Sequence, residues 1–229
     1  MLIASFPSGA LAANCYLVAP GAGEGCVIVD PGEAALSPVI ATVREHGLTP
    51  VAVILTHGHL DHAASLRLVC EQFDVPGYLH AADDYMLDDP LSALSAELRA
   101  ALAGYPLPPM RPDEVRRLNG GDRLDFDGFA MSVEHTPGHT GGSVLFRLAA
   151  DDSRPDVLFS GDTLFAGSVG RTDLPGGSSA QLIESLRRCV LSQADEAVVL
   201  PGHGPRTTIG AERRTNPFLV PLISAEPSA

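Results

Sequence analysis

A histidine-rich segment at residues 56–62, Thr-His-Gly-His-Leu-Asp-His, constrains this chain more than any other part of its sequence. It follows the apolar run 51–55 and places three imidazoles and one carboxylate within six residues. Imidazole and carboxylate together bind zinc, iron or manganese, and a site without thiolate can keep a position open for water. We expect Gly58 to let the loop turn, since glycine tolerates backbone angles that other residues avoid. The segment predicts two adjacent metal sites rather than a structural zinc finger, which would need cysteines.

Three more ligand-type residues stand in a similar context, each just after a predicted strand and beside a glycine: His139, Asp162 and His203. Functional side chains favour such loops because a rigid sheet fixes the ends of the loop. We therefore expect these three residues to converge with the 56–62 segment at one edge of the fold.

Predicted strands and helices alternate along the chain without an internal repeat or linker, so we expect a single domain over residues 1–229. Gly47 is predicted to end the first helix. Residues 88–113 combine a helical piece with the proline-dense stretch 106–112, and they predict a surface excursion that borders the mouth of the active site. Helices are predicted at 35–46, 63–73, 81–87, 91–102 and 180–191, the last of these being the final helix. Strands are predicted at 11–19 and 26–29, which form a hairpin, and at 51–55, 77–80, 123–126, 129–134, 143–148, 157–160 and 197–200.

Charge and cysteine usage narrow the class of protein. The net charge is −13 and the pI is about 4.8, which argues against nucleic acid and anionic membranes as partners, because both require clustered positive charge. All 15 basic residues are arginine, so Schiff-base chemistry on lysine is excluded. The four cysteines lack CxxC spacing and have apolar neighbours, which is typical of a reduced, cytoplasmic protein; a Cys15–Cys26 disulfide is the alternative. We expect neither a secretory signal nor a membrane-spanning segment.

The chain resembles the metallo-β-lactamase superfamily, and within it the glyoxalase II-like hydrolases. The resemblance rests on the H-x-H-x-D-H pattern at 57–62, the isolated His and Asp in order, the Pro-Gly-His-Gly at 201–204, and the segments 161–165 and 170–177. It implies a mixed α/β fold, the four-layer αββα sandwich, with a binuclear site. Carried over residue by residue, the first metal would take His57, His59 and His139, the second Asp61, His62 and His203, with Asp162 bridging them.

The resemblance also implies a chemistry. Two divalent cations, zinc in the first place with iron or manganese as alternatives, can share a water and lower its pKa, which supplies hydroxide without a protein nucleophile. Asp61 would ligate metal and orient that hydroxide as the catalytic carboxylate, a role compatible with capping a helix N-terminus. The implied substrate is a small-molecule thioester of the S-acyl-thiol type.

Substrate contacts are predicted at three positions. Arg171 can grip a substrate carboxylate with its planar fork, or it can form an internal ion pair with Asp173. Phe165 and Tyr85 are expected to line the pocket, with burial in the core as the alternative. The remaining histidines match no ligand position and are interpreted as structural or exposed: His46, His80 and His135.

One departure from the resemblance concerns the thiol carrier. Two-domain glyoxalase II enzymes carry an extra C-terminal helical region with basic contacts to glutathione, and this chain ends ten residues after Leu219. We therefore expect glutathione thioesters to be accepted but held weakly. The alternatives are a persulfide dioxygenase with a single iron, a β-lactam hydrolase, and a metal-stabilised binding module without catalysis. The acyl group and the oligomeric state are left open by the sequence.

Overall fold

The alternation of apolar residues along each strand builds the layers of this protein. In strand β2 (Ala13–Ala19), Leu17 packs against helices on the outer face of its sheet, while Tyr16 and Val18 face a second sheet. In the second sheet, Phe146 points toward the first sheet and Leu145 toward another layer of helices. Three apolar cores therefore separate four layers, helix, sheet, sheet and helix, as the resemblance implies.

The computed structural model describes residues 1–102, 104, 107–151 and 153–224. Within these residues, twelve strands form two six-stranded sheets. The first sheet holds, in spatial order, β1 (Leu2–Ser8), β2 (Ala13–Ala19), β3 (Gly25–Val29), β4 (Thr49–Ile54), β5 (Gly77–His80) and β6 (Val115–Leu118). The second runs from β7 (Arg123–Phe126) through β8 (Phe129–His135), β9 (Val144–Leu148), β10 (Val157–Gly161) and β11 (Val198–Pro201) to β12 (Thr207–Thr208). Strands β3 to β6 are mutually parallel, and so are β10 and β11.

The helices cover the outer faces of the sheets. They are α1 (Leu36–His46), α2 (Leu60–Ala63), α3 (Leu66–Phe73), two 3₁₀ segments (Ala81–Leu87 and Pro90–Ala93), α4 (Ala96–Leu102), α5 (Ser179–Ser185), a π-helical turn (Leu186–Val190), α6 (Ile209–Thr215) and α7 (Val220–Ser224). As predicted, α1 ends at Gly47, which adopts the left-handed conformation. None of the helices in the described residues is long and apolar enough to cross a membrane.

Several predicted boundaries were wrong for local reasons. The strand predicted at 11–19 begins at Ala13, because residues 9–12 form a turn with positive φ at both Gly9 and Ala12. The helix predicted at 63–73 is two helices, since the backbone N–H of Ser65 donates to the carbonyl of Pro31 instead of to a preceding helical turn. The helix predicted at 91–102 is interrupted at Leu94, which is extended.

The helix predicted at 180–191 switches to π geometry in its second half, and it is followed by α6 and α7, which were not anticipated. Strand β6 was missed because two of its four residues are arginines, and β12 was missed because it has only two residues. Of the predicted excursion 88–113, residues 103, 105 and 106 lie outside the described residues. The excursion includes the second 3₁₀ segment and α4, and residues 107–112 carry no regular structure. All four cysteines are buried and unpaired, so the Cys15–Cys26 disulfide does not form.

Candidate metal centre

All seven predicted ligands meet where strands of both sheets end. His57 follows β4, while His139 lies between β8 and β9. Asp162 comes directly after β10, and His203 comes two residues after β11. The ligands form three groups, in each of which one ligand atom per residue lies within 4.8 Å of the others. The first group is His57, His59 and His139, and the second group is Asp61, His62 and His203; a third set, His57, His62 and Asp162, overlaps both.

The spacing of the ligand atoms fits first-row divalent cations. Two ligands about 2.05 Å from a tetrahedral zinc ion lie roughly 3.3 Å from each other. His59 Nδ1 lies 2.9 Å from His139 Nε2 in the first group. In the second group, His203 Nε2 lies 3.2 Å from both His62 Nε2 and the Asp61 carboxylate. Each group therefore has the dimensions of one coordination shell.

Asp162 lies between the two groups. One of its oxygens is 3.4 Å from His62 Nε2, and the other is 3.4 Å from His139 Nε2 and 3.7 Å from His203 Nε2. The first oxygen makes no hydrogen bond although it is buried, and the same is true of His57 Nε2. A buried polar atom without a partner costs about 1–3 kcal/mol, and a bound cation removes that cost. The nitrogen and oxygen donors therefore fit divalent metal ions.

A buried aspartate that the sequence reasoning missed orients two of the ligands. Asp30, at the end of β3, accepts a hydrogen bond from His62 Nδ1 at 3.0 Å and another from the Thr56 hydroxyl at 2.6 Å. Because that hydroxyl proton is donated to Asp30, the Thr56 oxygen accepts from His57 Nδ1, 3.0 Å away. In the neutral form of each imidazole, these bonds place the proton on Nδ1 and leave Nε2 free to face the ligand cluster. Asp30 follows a strand and precedes Pro31-Gly32, the same context that identified the other ligands, so a signal was present.

Backbone carbonyls orient two more histidines. His139 Nδ1 donates to the carbonyl of Arg171 at 2.8 Å, and His203 Nδ1 donates to the carbonyl of Leu11 at 3.1 Å. Each bond fixes the tautomer and leaves Nε2 for a cation. The loops carrying Arg171 and Leu11 are therefore part of the metal centre through their backbone, a role that residue type does not reveal.

Gly58 is required because it leaves room for neighbouring side chains. The sequence had instead suggested a backbone conformation that other residues avoid, and that expectation was wrong. The φ of Gly58 lies outside the left-handed region. A Cβ at this position would lie 2.9 Å from the sulfur of Met86 and 3.1 Å from the Cβ of Asp83. The segment can carry His57 and His59 so close to the Ala81–Leu87 helix only because residue 58 has no side chain.

The two ligand groups differ in their affinity for protons. Burial lowers the pKa of His59 to about 3, and it lowers the pKa of His57 well below the usual range, with neighbouring imidazoles adding to the effect. For His62, burial opposes protonation, but the Asp162 carboxylate raises the pKa well above the usual value. The hydrogen bond to Asp61 likewise raises the pKa of His203. Protons thus compete with a cation more strongly in the second group.

We therefore predict that zinc binding to the second group is the more sensitive to pH. A histidine with a raised pKa must release its proton to bind metal, and each released proton contributes about a tenfold change in affinity per pH unit below that pKa. Between pH 8 and pH 6, the step that fills the second group, isolated in His139→Ala, should lose affinity more steeply than the step that fills the first group, isolated in His203→Ala. Zinc titrations against a competing chelator at both pH values measure this. Parallel losses for the two steps would contradict the assignment.

The three residues predicted to contact substrate differ in their exposure and in their partners. The guanidinium of Arg171 forms a bidentate ion pair with Asp173, both N···O distances being 2.7 Å, so the internal-pair alternative is the one observed. Tyr85 is 45% exposed and is not a core residue. Phe165 is half-buried, with its ring 6.0 Å from that of His203.

The proposed capping role of Asp61 was wrong, because His59 is the N-cap of α2 and Asp61 lies in the first turn.

The other histidines lie outside the three ligand groups. His80 and His135 stack on each other with ring centroids 4.1 Å apart, and His135 Nε2 donates to the carbonyl of Gly141. His46 lies in the last turn of α1.

Two facing sheets flanked by helices, with a histidine and aspartate cluster where strands of both sheets end, define a class of metal-binding proteins that includes metal-dependent hydrolases. Comparison with known families agrees with this class: the model of the metallo-beta-lactamase superfamily matches residues 8–203. The chain belongs to this superfamily.

Individual relatives match over nearly their whole length. The hydroxyacylglutathione hydrolase GloC of Haemophilus influenzae is 36% identical over 220 residues, which cover 96% of this chain and 98% of that protein. The crystal structure of BLEG-1 B3 metallo-beta-lactamase shares 37% identity and a TM-score of 0.82, over 95% of this chain and 99% of that one. The structure of TTHA1623 in a di-iron-bound form shares 39% identity and a TM-score of 0.77, over 96% and 100% of the two chains.

Proposed function

We propose that this protein is a thioester hydrolase that uses two divalent cations, zinc in the first place, to cleave small S-acyl-thiol substrates. The observation that carries the proposal is the position of the Asp162 carboxylate, within 3.4–3.7 Å of ligand nitrogens from both groups. A single carboxylate in that position can bridge two cations. The four free, buried thiols support a reducing compartment such as the cytoplasm as its place of action.

Bound divalent cations supply an activated water and stabilise the oxyanion that forms at the attacked carbonyl. The chain's own residues hold this arrangement. Asp61 is the more exposed of the two carboxylate ligands, at 23% against 10% for Asp162, and it can accept a hydrogen bond that orients the attacking water. The departing thiolate is weakly basic and leaves without a proton from the protein. The ligand set therefore suffices for a thioester.

Two relatives point to different substrates. The relative named a hydroxyacylglutathione hydrolase supports a thioester, and the one named a B3 metallo-beta-lactamase supports a β-lactam. The loop that includes Gly170 and Arg171 belongs to the thioesterase-like part of the sequence, and in the structure it contacts the ligand His139. The sequence pattern of this loop favours the thioester. GloC is matched over 98% of its length, so an additional region is not a requirement for a glutathione substrate. Weak glutathione binding now rests on the ion pair that occupies Arg171.

Steady-state kinetics on a panel of substrates test the proposal. We expect kcat/KM for reactive thioesters to exceed that for β-lactams by about 10³ or more, which corresponds to roughly 4 kcal/mol in transition-state stabilisation. S-lactoylglutathione should be hydrolysed with a high KM, because few charged groups remain to hold the tripeptide. The same zinc-loaded sample should contain two metal equivalents. One equivalent of iron with oxygen uptake on persulfides would favour the dioxygenase, and a β-lactam preference would overturn the thioester assignment.

A further inference from the structure

We infer that Asp83 is a positioning residue that fixes the ligands of the first metal ion and not those of the second. The inference rests on the proposed two-metal centre and concerns a residue that contacts no ligand side chain. Asp83 lies in the 3₁₀ segment Ala81–Leu87 and its side chain is completely buried. In the sequence it looks like an ordinary acidic residue in the first turn of a helix.

The carboxylate of Asp83 accepts three hydrogen bonds from two separate loops. One oxygen accepts from the backbone N–H of Gly58 at 3.0 Å and from the hydroxyl of Thr140 at 2.7 Å. The other accepts from the backbone N–H of Gly142 at 2.7 Å. Gly58 separates His57 from His59, and Thr140 directly follows His139. One buried side chain therefore joins the two segments that carry the whole first group of ligands.

The fit around Asp83 is close on both sides. A Cβ at Gly142 would lie 2.6 Å from Asp83 Cγ, and a Cβ at Gly58 would lie 3.1 Å from Asp83 Cβ. Both glycines allow the backbone N–H groups to reach the carboxylate. The second group of ligands is held by other contacts, from Asp30 to His62 and from the carbonyl of Leu11 to His203.

Because Asp83 contacts the loops of the first group and not those of the second, Asp83→Asn is predicted to affect the two metal sites unequally. An asparagine has one acceptor oxygen, so at least one of the three donors faces its NH₂ group and the two loops lose their common anchor. Changes to groups that orient ligands typically weaken metal binding about 10–100-fold, and we expect that loss in the first site. The second site shares no contact with Asp83 and should change by no more than about twofold.

The experiment measures zinc affinity of the full chain against a competing chelator in two backgrounds that each retain one site. In His203→Ala, which retains the first site, Asp83→Asn should weaken zinc binding about 10–100-fold. In His139→Ala, which retains the second site, it should have an effect of about twofold or less. Equal losses in both backgrounds, or no loss in the first, would overturn the inference. A general loosening of the fold predicts equal losses, so the comparison separates positioning from stability.

A matched control is the neighbouring Asp84→Asn. Asp84 lies in the same 3₁₀ segment and pairs with Arg111 and Arg117 instead of the ligand loops, so its replacement should leave both zinc affinities unchanged. If Asp83→Asn does not fold, Thr140→Val provides the second test, because it removes one of the three bonds and should weaken the first site alone. Zinc titration of the unmodified chain tests the proposed function independently, because a plateau at one equivalent would count against two metal ions. In that case the effect of Asp83→Asn on the single site would still test the role of Asp83.

Discussion

Replacing Asp162 with alanine is expected to abolish hydrolysis and to weaken the binding of both metal ions. The carboxylate lies between the two ligand groups, and its negative charge offsets the repulsion between two cations held close together. Its loss should lower the affinity of each site about 10–100-fold and reduce kcat by about 10³-fold or more at saturating zinc. Chelator-competition titrations and single-turnover hydrolysis of a thioester measure the two effects.

The matched control for this variant is His135→Ala. His135 lies four residues before His139 and belongs to the stacked pair with His80, outside the three ligand groups. Its replacement should leave zinc content at the wild-type value. A loss of metal in His135→Ala would show that the loop 136–139 is aligned wrongly with the family pattern. Retention of one tight site in Asp162→Ala would show that the carboxylate serves a single ion.

The sequence predicted that the seven candidate ligands converge, because the ability to bind a metal ion resides in the side chain. His57, His59 and His62 stand in a short segment that can reach a common point only where a strand ends. His139, Asp162 and His203 were predicted in the same way, since they follow β8, β10 and β11. Strands β10 and β11 are parallel and therefore end at the same edge of the sheet. The four layers were implied by the family resemblance, and the structure gives their physical reason: strands such as β2 and β9 carry apolar residues on both faces.

The supporting contacts were not predictable from residue type. Leu11 and Arg171 orient ligands through carbonyl oxygens, which every residue has. The side chain that made Arg171 conspicuous is instead paired with Asp173 on the surface. Asp83 could not be recognised, because its partners Gly58 and Gly142 lie 25 and 59 residues away in the chain. Such long-range hydrogen bonds become visible only when the fold brings the loops together.

Replacing Asp30 with alanine should destabilise the fold more than replacing Asp162 or His135. The buried carboxylate accepts the backbone N–H of Thr56 at 2.7 Å, the Thr56 hydroxyl at 2.6 Å and His62 Nδ1 at 3.0 Å. Alanine leaves all three donors buried without their acceptor, and the loss of one partner of a buried pair costs about 3–5 kcal/mol. For a chain of this size that loss lowers Tm by roughly 10 °C.

The Asp30 variant should also lose metal affinity, because His62 and, through Thr56, His57 are no longer held in the tautomer that offers Nε2. Thermal unfolding and zinc titration of the same sample measure both effects. Asp125→Ala is the control, since that carboxylate is 70% exposed and pairs only with Arg123 on the surface, where such pairs contribute about 0–1 kcal/mol. Asp30→Asn should be intermediate in stability, because one oxygen remains to accept. A Tm for Asp30→Ala within about 2 °C of the wild type would show that the three donors find other acceptors, and that the position of His62 does not depend on Asp30.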